Sequence, residues 1–398
     1  DNPLSGWLQL AILSQQHRQS ATLLTALKQW QLSFAHHPAN HLIAQRVDLP
    51  ANKMLSSPKK IAVLVPLSGV FSGPGHAILE GFMAGYKRDS AQNTIEIKVY
   101  DTSKGVITSL YEQAISDGAH YVVGPLLKNQ VAIVAALPHL VPTLLLNDSV
   151  SSAQENAYLF GLSPLHEASE VAIKARSSGY AKALIIAPQN EWGMEVSQAF
   201  SQQWHKKGGQ VIDRLTYSGT DDLNKKMRAF LHINNSEQRE KQLKELLGQK
   251  ILVGTSRRQD FDVIFLIAYP SKARQIMPLL NYYYAGDIPV YATSSIYSGS
   301  TNALKDNDLN GVIFCDIPWV FSHQMGSKSW PEQFNSYNRL YALGNDSYAL
   351  ANQLNRLIVF PADGLPDLNG ILYLKSSQHI ARVLEWGQFK QGLVHSLG

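Results

Sequence analysis

Hydrophobic residues fall at helical spacing in the first part of the chain and in short continuous runs through most of the rest. Over residues 6–36, Leu8, Ala11, Ile12 and Gln15 share one stripe. After the polar break Gln16-His17-Arg18-Gln19-Ser20, a second stripe holds Leu23, Leu24, Leu27, Trp30, Gln31 and Phe34. The spacing predicts two helices, with Ser20 placed to cap the second. Residues 51–60, ANKMLSSPKK, read as a linker. IAVLVPL (61–67) is then a continuous apolar run, the pattern of a strand covered on both faces. It opens an alternation of helix HAILEGFMAGYKRD, strand IEIKVYDT, helix VITSLYEQAISDG, strand AHYVVGPL, helix NQVAIVAAL and strand PTLLLND. Such alternation predicts a parallel sheet wound by crossover helices.

FGLSPLHEASEVAIKARSSGY begins a second round. KALIIAPQN, VIDRLTYS, FDVIFLIAY, IPVYATS and NGVIFCDIPW read as strands, with helices over GMEVSQAFSQQWHKKGG and SKARQIMPLLNYYYAG. Residues 221–260 form a long, polar, helix-rich excursion outside this minimal pattern. A long helical region covers 331–358, and the tail GILYLKSSQHIARVLEWGQFKQG has the look of hairpin strands. The prediction is an α/β protein with two similar lobes, each built on a Rossmann-like parallel sheet.

Composition narrows the functions without selecting one. The 398 residues, 45% of them hydrophobic, provide for more than one core. The 35 basic residues against 31 acidic give a net charge of +4. The basic pairs Lys206-Lys207, Lys225-Lys226 and Arg257-Arg258 are scattered, which argues against nucleic-acid binding. Cys315 is the single cysteine, so neither an internal disulfide nor a cysteine-based zinc site can form. Its strand-like setting, GVIFCDIPW, predicts a buried and inert thiol. No apolar run reaches membrane-spanning length. The chain starts at Asp1 without an initiator Met and reads as a piece of a longer protein, any targeting segment lying upstream.

In wound α/β sheets ligands sit beyond the carboxyl ends of the strands. The candidate positions are therefore Ser68, Gly69 and Ser72 after the first strand, Asp101 and Thr102 after the second, Gly124 after the third and Asn147 after the fourth. In the second round they are Trp192, Tyr269 and Ser294. Together they are expected to ring a cleft between the lobes. The run SGVFSGPG is either an anion-holding helix start or a turn that needs its glycines. Enzyme signatures are scarce: HExxH, GxSxG and a Cys–His nucleophile pair are absent. Ser56-Ser57-Pro58-Lys59 matches SxxK, but in a proline-bearing linker, without the SDN and KTG partners, it reads as coincidence. His36, His37 and His41 flank Pro38 and read as a solvated turn. No catalytic residue, metal or cofactor is expected.

Two resemblances sharpen the picture. IAVLVPLSGVFSGPGHAILEGFMAGY and the paired lobes resemble the type I periplasmic binding-protein fold. RRQDFDVIFLIAYPSKARQIMPLLNYYYAGDIPVYATSSIYSG (257–299), followed by DLNGVIFCDIPW, is similar to the carboxyl-terminal domain of the LpoA family. The pair at 6–36, with Trp7 and Leu10-Ala11 early and Phe34 and Pro38 late, resembles a tetratricopeptide-type unit. The implied organisation is a helical remnant at 1–50, the linker at 51–60, lobe I from 61–163 plus 287–360, and lobe II from 164–286 plus 361–398. Crossings between lobes are expected near Ser163-Pro164, near Asp287 and after Pro318.

The LpoA resemblance implies a non-catalytic regulator that binds and activates a class A penicillin-binding protein and so promotes peptidoglycan synthesis. It implies a place on the periplasmic side of the outer membrane, through a lipid anchor outside these residues. Peptidoglycan itself is a possible contact, and 221–260 is the expected family-specific surface. The alternative is a periplasmic binding protein for an amino acid or cell-wall fragment, with Ser68, Asp101, Thr102 and Ser294 in the cleft. Against it, Asn147-Asp148-Ser149 replaces the small Ala/Ser-Thr run of amino-acid binders.

Overall fold

A computed structural model describes residues 3–16, 20–41, 43, 58–89, 95–247, 255–322, 331–359, 364–367, 370–375 and 378–397. Most of the expected linker, including Ser56 and Ser57, lies outside them. The chain divides into two compact units, Asp1–Leu162 with Tyr337–Val383, and Ser163–Ser336 with Leu384–Gly398.

The opening helices are Pro3–Gln16 and Ser20–Ser33. Leu23, Leu27 and Trp30 form their core with Ala39 and Ile43. The first helix presents Leu10 and Leu13 to that core, while the expected stripe residues Leu8 and Ile12 stay 58% and 48% exposed. A helix apolar on several faces cannot bury them all against one partner. His37 also departs from the solvated turn expected of it. It is buried, its Nδ1 accepts from the Ala39 N–H at 3.2 Å, and its Nε2 therefore donates to the Pro3 carbonyl at 2.8 Å. His36 and His41 remain exposed.

The first unit is built on five parallel strands: β1 (Lys60–Val65), β2 (Glu96–Asp101), β3 (Tyr121–Val123), β4 (Thr143–Leu145) and β5 (Ala157–Leu159). Their order is β2-β1-β3-β4-β5. The continuous apolar run of β1 lies near the middle and is buried, whereas β2 at the edge buries only Tyr100. Helices Ile107–Ser116 and Lys128–Ala135 bury Ile107, Tyr111, Val131 and Val134 against one face.

Helix Ser72–Asp89 packs along helix Tyr337–Val359 at very close range. A Cβ on Gly81 would lie 1.9 Å from the Tyr341 carbonyl oxygen, and one on Gly344 would lie 1.9 Å from that of Ile78. Only glycine at both positions permits this approach. A small antiparallel sheet, β11 (Leu365–Asp367), β12 (Gly370–Leu374) and β13 (Ile380–Arg382), completes the unit.

Among the described residues the second unit's sheet has seven strands, in the order β15 (Leu393–Ser396), β14 (Glu385–Lys390), β10 (Ile313–Asp316), β9 (Val290–Ala292), β8 (Val263–Leu266), β6 (Lys182–Pro188), β7 (Gln210–Tyr217). Strands β6 to β10 are parallel, β14 is antiparallel to β10, and β15 is antiparallel to β14. The β14–β15 hairpin turns at Gln391 and Gly392, both with positive φ (54° and 71°), the primed-turn geometry that suits twisted strands. Trp204, Phe200 and Phe265 lie at the core, the two phenylalanine rings stacked 4.3 Å apart.

The unit boundaries correct the expected ones. The chain passes between the units at 162/163, 336/337 and 383/384, where crossings near Ser163-Pro164, near Asp287 and after Pro318 were expected. Residues 287–336 belong with the second unit because β9 pairs with β8 (Ile264↔Val290, Phe265↔Tyr291), the strand just before it. The intervening helix Pro270–Tyr282 is an ordinary crossover that returns the chain to its own sheet. Residues 361–383 belong with the first unit, where His379 bridges to Leu159.

Candidate functional site

The strand orders fix where each unit's crevice lies. In the first unit the direction of winding reverses between β1 and β3, in the second between β6 and β8. Loops at the carboxyl ends of those strands part there and leave a gap. The expected site residues stand at or just after strand carboxyl ends, seven in the first unit and three in the second, with Asp101 as the last residue of β2 and Ser72 and Trp192 in the first turns of helices.

In the first unit Asp101 organises the loop after β1. Its Oδ1 accepts from the Leu67 N–H at 2.8 Å and the Ser103 N–H at 3.0 Å, and its Oδ2 accepts from the Ser68 hydroxyl at 2.9 Å. Partial burial pushes this carboxyl up, but the hydrogen bonds from Leu67, Ser103 and Ser68 outweigh it and hold the pKa at about 2. The Ser103 hydroxyl closes the loop by donating to the Ser68 carbonyl at 2.9 Å. Gly69 takes φ 72°, and Ser72 donates its N–H to the Gly69 carbonyl as helix Ser72–Asp89 begins. A Cβ on Gly75 would sit 1.7 Å from the Pro66 carbonyl oxygen. Gly69 thus answers to turn geometry and Gly75 to close packing.

Gly124, at φ 106°, lets the loop after β3 run against β1, where a Cβ would lie 2.0 Å from the Leu64 carbonyl oxygen. Asn147 ties the loop after β4 to its neighbours, donating to the Leu126 carbonyl at 3.3 Å and accepting from the Ser149 N–H at 3.1 Å. Thr102 is different. It is 2% exposed, its carbonyl accepts from the Gln130 amide at 3.0 Å, and its Oγ1 has no hydrogen-bond partner. Gln130 Oε1 is likewise unpartnered.

In the second unit Trp192 and Tyr269 stack across the β6/β8 crevice, ring centroids 4.6 Å apart and planes 11° from parallel. Each opens a helix: Trp192 lies in the first turn of Glu191–Lys206, capped by Asn190 through the Gly193 N–H at 2.8 Å, and Tyr269 precedes Pro270. Both rings are half-buried, so they fill space a small ligand would otherwise use. Burial, with the nearby Glu332 charge, pushes the Tyr269 phenol above its usual range. Ser294 follows β9. Its N–H donates to Glu167 Oε2 at 2.8 Å and its hydroxyl to Oε1 at 2.9 Å.

Glu167 was not singled out from the sequence. The one available signal was an acid in the first turn after Ser163-Pro164, where Ser163 caps helix Pro164–Ser177. Among the described residues no group of three or more His, Cys, Asp or Glu side chains is placed to hold a metal ion. The arrangement is one of hydrogen bonds closed among the protein's own groups, with Thr102 and Gln130 as the exceptions.

Two units of this kind, parallel sheets with crevices at their carboxyl ends, define the type I periplasmic binding-protein fold. A structure described as a putative branched-chain amino acid ABC transporter from Chromobacterium violaceum ATCC 12472 shares it at TM-score 0.61 and 24% identity, over 83% of this chain and 99% of that one. The chain belongs to the LppC putative lipoprotein family, whose model matches residues 1–392. It is 27% identical over 400 residues to the penicillin-binding protein activator LpoA of Photobacterium profundum, covering 97% of this chain and 65% of the relative. The crystal structure of Haemophilus influenzae LpoA matches 99% of this chain and 69% of its own at TM-score 0.71 and 26% identity. Its separate C-domain, described as a regulator of PBP1A, is matched over its whole length by 85% of this chain, at TM-score 0.66 and 27% identity. The chain therefore spans about two-thirds of the length of these relatives.

Proposed function

We propose that this chain is a non-catalytic regulator of peptidoglycan synthesis that binds and activates a class A penicillin-binding protein. The observation that carries the reading is the match over 97% of the chain to a named penicillin-binding protein activator. The strand-end geometry supports it: Asp101 and Ser68 spend their polar groups on each other and on nearby backbone, Asn147 on nearby backbone, and Ser294 on the Glu167 carboxylate. An activator of this kind works by binding an active state of its partner more tightly than an inactive one, and a tenfold shift needs only about 1.4 kcal/mol of difference.

In this reading the protein acts from the periplasmic face of the outer membrane. Cys315 is buried in the second unit and is not a site for lipid attachment. Among the described residues no helix is long and apolar enough to cross a membrane. The test is to pass a membrane extract of the source bacterium, labelled with fluorescent penicillin, over the immobilised chain. The class A penicillin-binding proteins should be retained. Their passage in the flow-through would count against the reading.

Thr102 Oγ1 and Gln130 Oε1 favour a second role beside the first, a small polar ligand held at the carboxyl end of β2. Thermal-shift screening with amino acids and muropeptides tests it. A stabilisation by one compound class that disappears in Thr102→Val supports this role, and no stabilisation by any compound removes it.

A further inference from the structure

The amino edge of the second unit's sheet, opposite its strand-end crevice, carries two exposed tyrosines on a braced turn. β8 and β9 are parallel neighbours, so the turn joining helix Pro270–Tyr282 to β9 lies at their amino ends. In NYYYAGD (281–287) Tyr282 is 73% and Tyr284 57% exposed, while Tyr283 between them is buried. The Tyr283 hydroxyl donates to Asn224 on helix Leu223–Phe230, and its ring meets that of Tyr282 edge to face at 5.0 Å.

The backbone of the turn is fixed by buried contacts. Tyr284 ends the helix in the left-handed conformation, φ 63°, and the Ala285 N–H returns to the Leu280 carbonyl at 2.8 Å. Glycine is the usual residue at such a helix end, and a side chain there costs about 1 kcal/mol. Arg257, itself buried, donates Nε to the Tyr284 carbonyl at 2.7 Å and both Nη2 hydrogen bonds to Asp287, at 3.1 and 2.9 Å. The turn is therefore rigid, and its one guanidinium is neutralised on the spot.

A bulky ring kept in a strained, exposed position on a rigid support is what a recognition surface requires. Tyrosine supplies large contact area and a phenol hydrogen bond for the loss of only two side-chain torsions. The turn's own charges balance in the Arg257–Asp287 pair, so the complementary surface is an uncharged, partly apolar face of a folded protein. We propose that Tyr282 and Tyr284 form the contact through which this chain engages its penicillin-binding protein partner. This rests on the function proposed above and adds the surface that performs it. Helix Leu223–Phe230, within the 221–260 excursion, takes the part of a buttress through Asn224.

The experiment compares the full chain with Tyr282→Ala/Tyr284→Ala, Tyr284→Gly and, as a control, Leu140→Ser, an exposed apolar residue of the first unit (81%). Affinity for a purified class A penicillin-binding protein from the same bacterium and melting temperature are both read. The double variant should lose about tenfold or more in affinity. Tyr284→Gly should bind more weakly while melting no lower than the parent, because the strain at φ 63° is relieved. The Leu140→Ser control should bind like the parent. Binding of the double variant within about twofold of the parent overturns the proposed contact and leaves the activator reading standing. So does weaker binding of Tyr284→Gly accompanied by a lower melting temperature, which would make the ring structural, or an equal loss in Leu140→Ser. A parent chain that does not bind overturns both.

Discussion

Glu167 takes up both hydrogen-bond donors of Ser294: the main-chain N–H reaches Oε2 at 2.8 Å and the hydroxyl reaches Oε1 at 2.9 Å. The pair is buried and joins the first turn of helix Pro164–Ser177 to the end of β9. A buried carboxylate held by two donors is costly to replace, because either donor left alone loses its partner away from water. Glu167→Gln places an amide N–H₂ against one of them and should cost about 1–3 kcal/mol. Ser294→Ala keeps the main-chain bond and should cost about 1 kcal/mol. Urea unfolding followed by circular dichroism measures both, and an unchanged midpoint in Glu167→Gln would contradict the assignment.

The close approach of helices Ser72–Asp89 and Tyr337–Val359 predicts a graded series. Gly81→Ala and Gly344→Ala each put a methyl 1.9 Å from a main-chain oxygen and must force the helices apart. A loss of about 2–3 kcal/mol is expected for each. Gly85→Ala meets the Tyr348 side chain at 3.1 Å and the Asn345 carbonyl oxygen at 3.4 Å, and should cost less. Gly219→Ala, with open space around it, should change stability by less than about 0.5 kcal/mol. Thermal unfolding of the four variants checks the order.

Asp101 gives the first unit an acid sensitivity of defined sign. Its folded-state pKa, about 2, lies below the ordinary value of 3.8. Its contribution is therefore fully present above pH 3.8 and falls away as pH drops through about 2, where the folded form also takes up a proton. Asp101→Asn should be less stable than the parent by about 1–2 kcal/mol at pH 7. The gap should narrow between pH 4 and pH 2, following the folded and unfolded pKa values. A gap that widens on acidification would show that the carboxylate is not held by Leu67, Ser68 and Ser103.

Cys315 should be inert in the folded protein. Burial pushes its thiol pKa well up, and the charges of Glu167, Asp316 and Glu170 add to it. A thiol reagent such as Ellman's should label about one equivalent per chain in guanidinium and very little without it. Rapid labelling under native conditions would mean that β10 is not where the fold puts it.

The sequence showed clearly what local pattern controls. β1 and β8 are continuous apolar runs because both their faces are covered, and such runs are legible without any partner. The strand-end position of Ser68, Asp101, Trp192 and Ser294 followed from the alternation alone. What these residues bind to did not. Glu167 and Ser294 stand 127 positions apart, and nothing in either neighbourhood announces the other. Membership of β9 and β10 in the second sheet was misread because an apolar strand looks the same in either sheet. Leu8 and Ile12 share a stripe yet stay exposed, because periodicity marks an apolar face without saying whether another element covers it.

The central proposal is that this chain recognises and stimulates a peptidoglycan synthase and performs no chemistry itself. The most direct measurement is the rate at which a purified class A penicillin-binding protein of the same bacterium converts lipid II into crosslinked peptidoglycan, with and without the chain. The account predicts a saturable rise in rate when the chain is added, and no product from the chain with lipid II alone. A rate unchanged at saturating chain, or turnover of lipid II by the chain without the synthase, would contradict it.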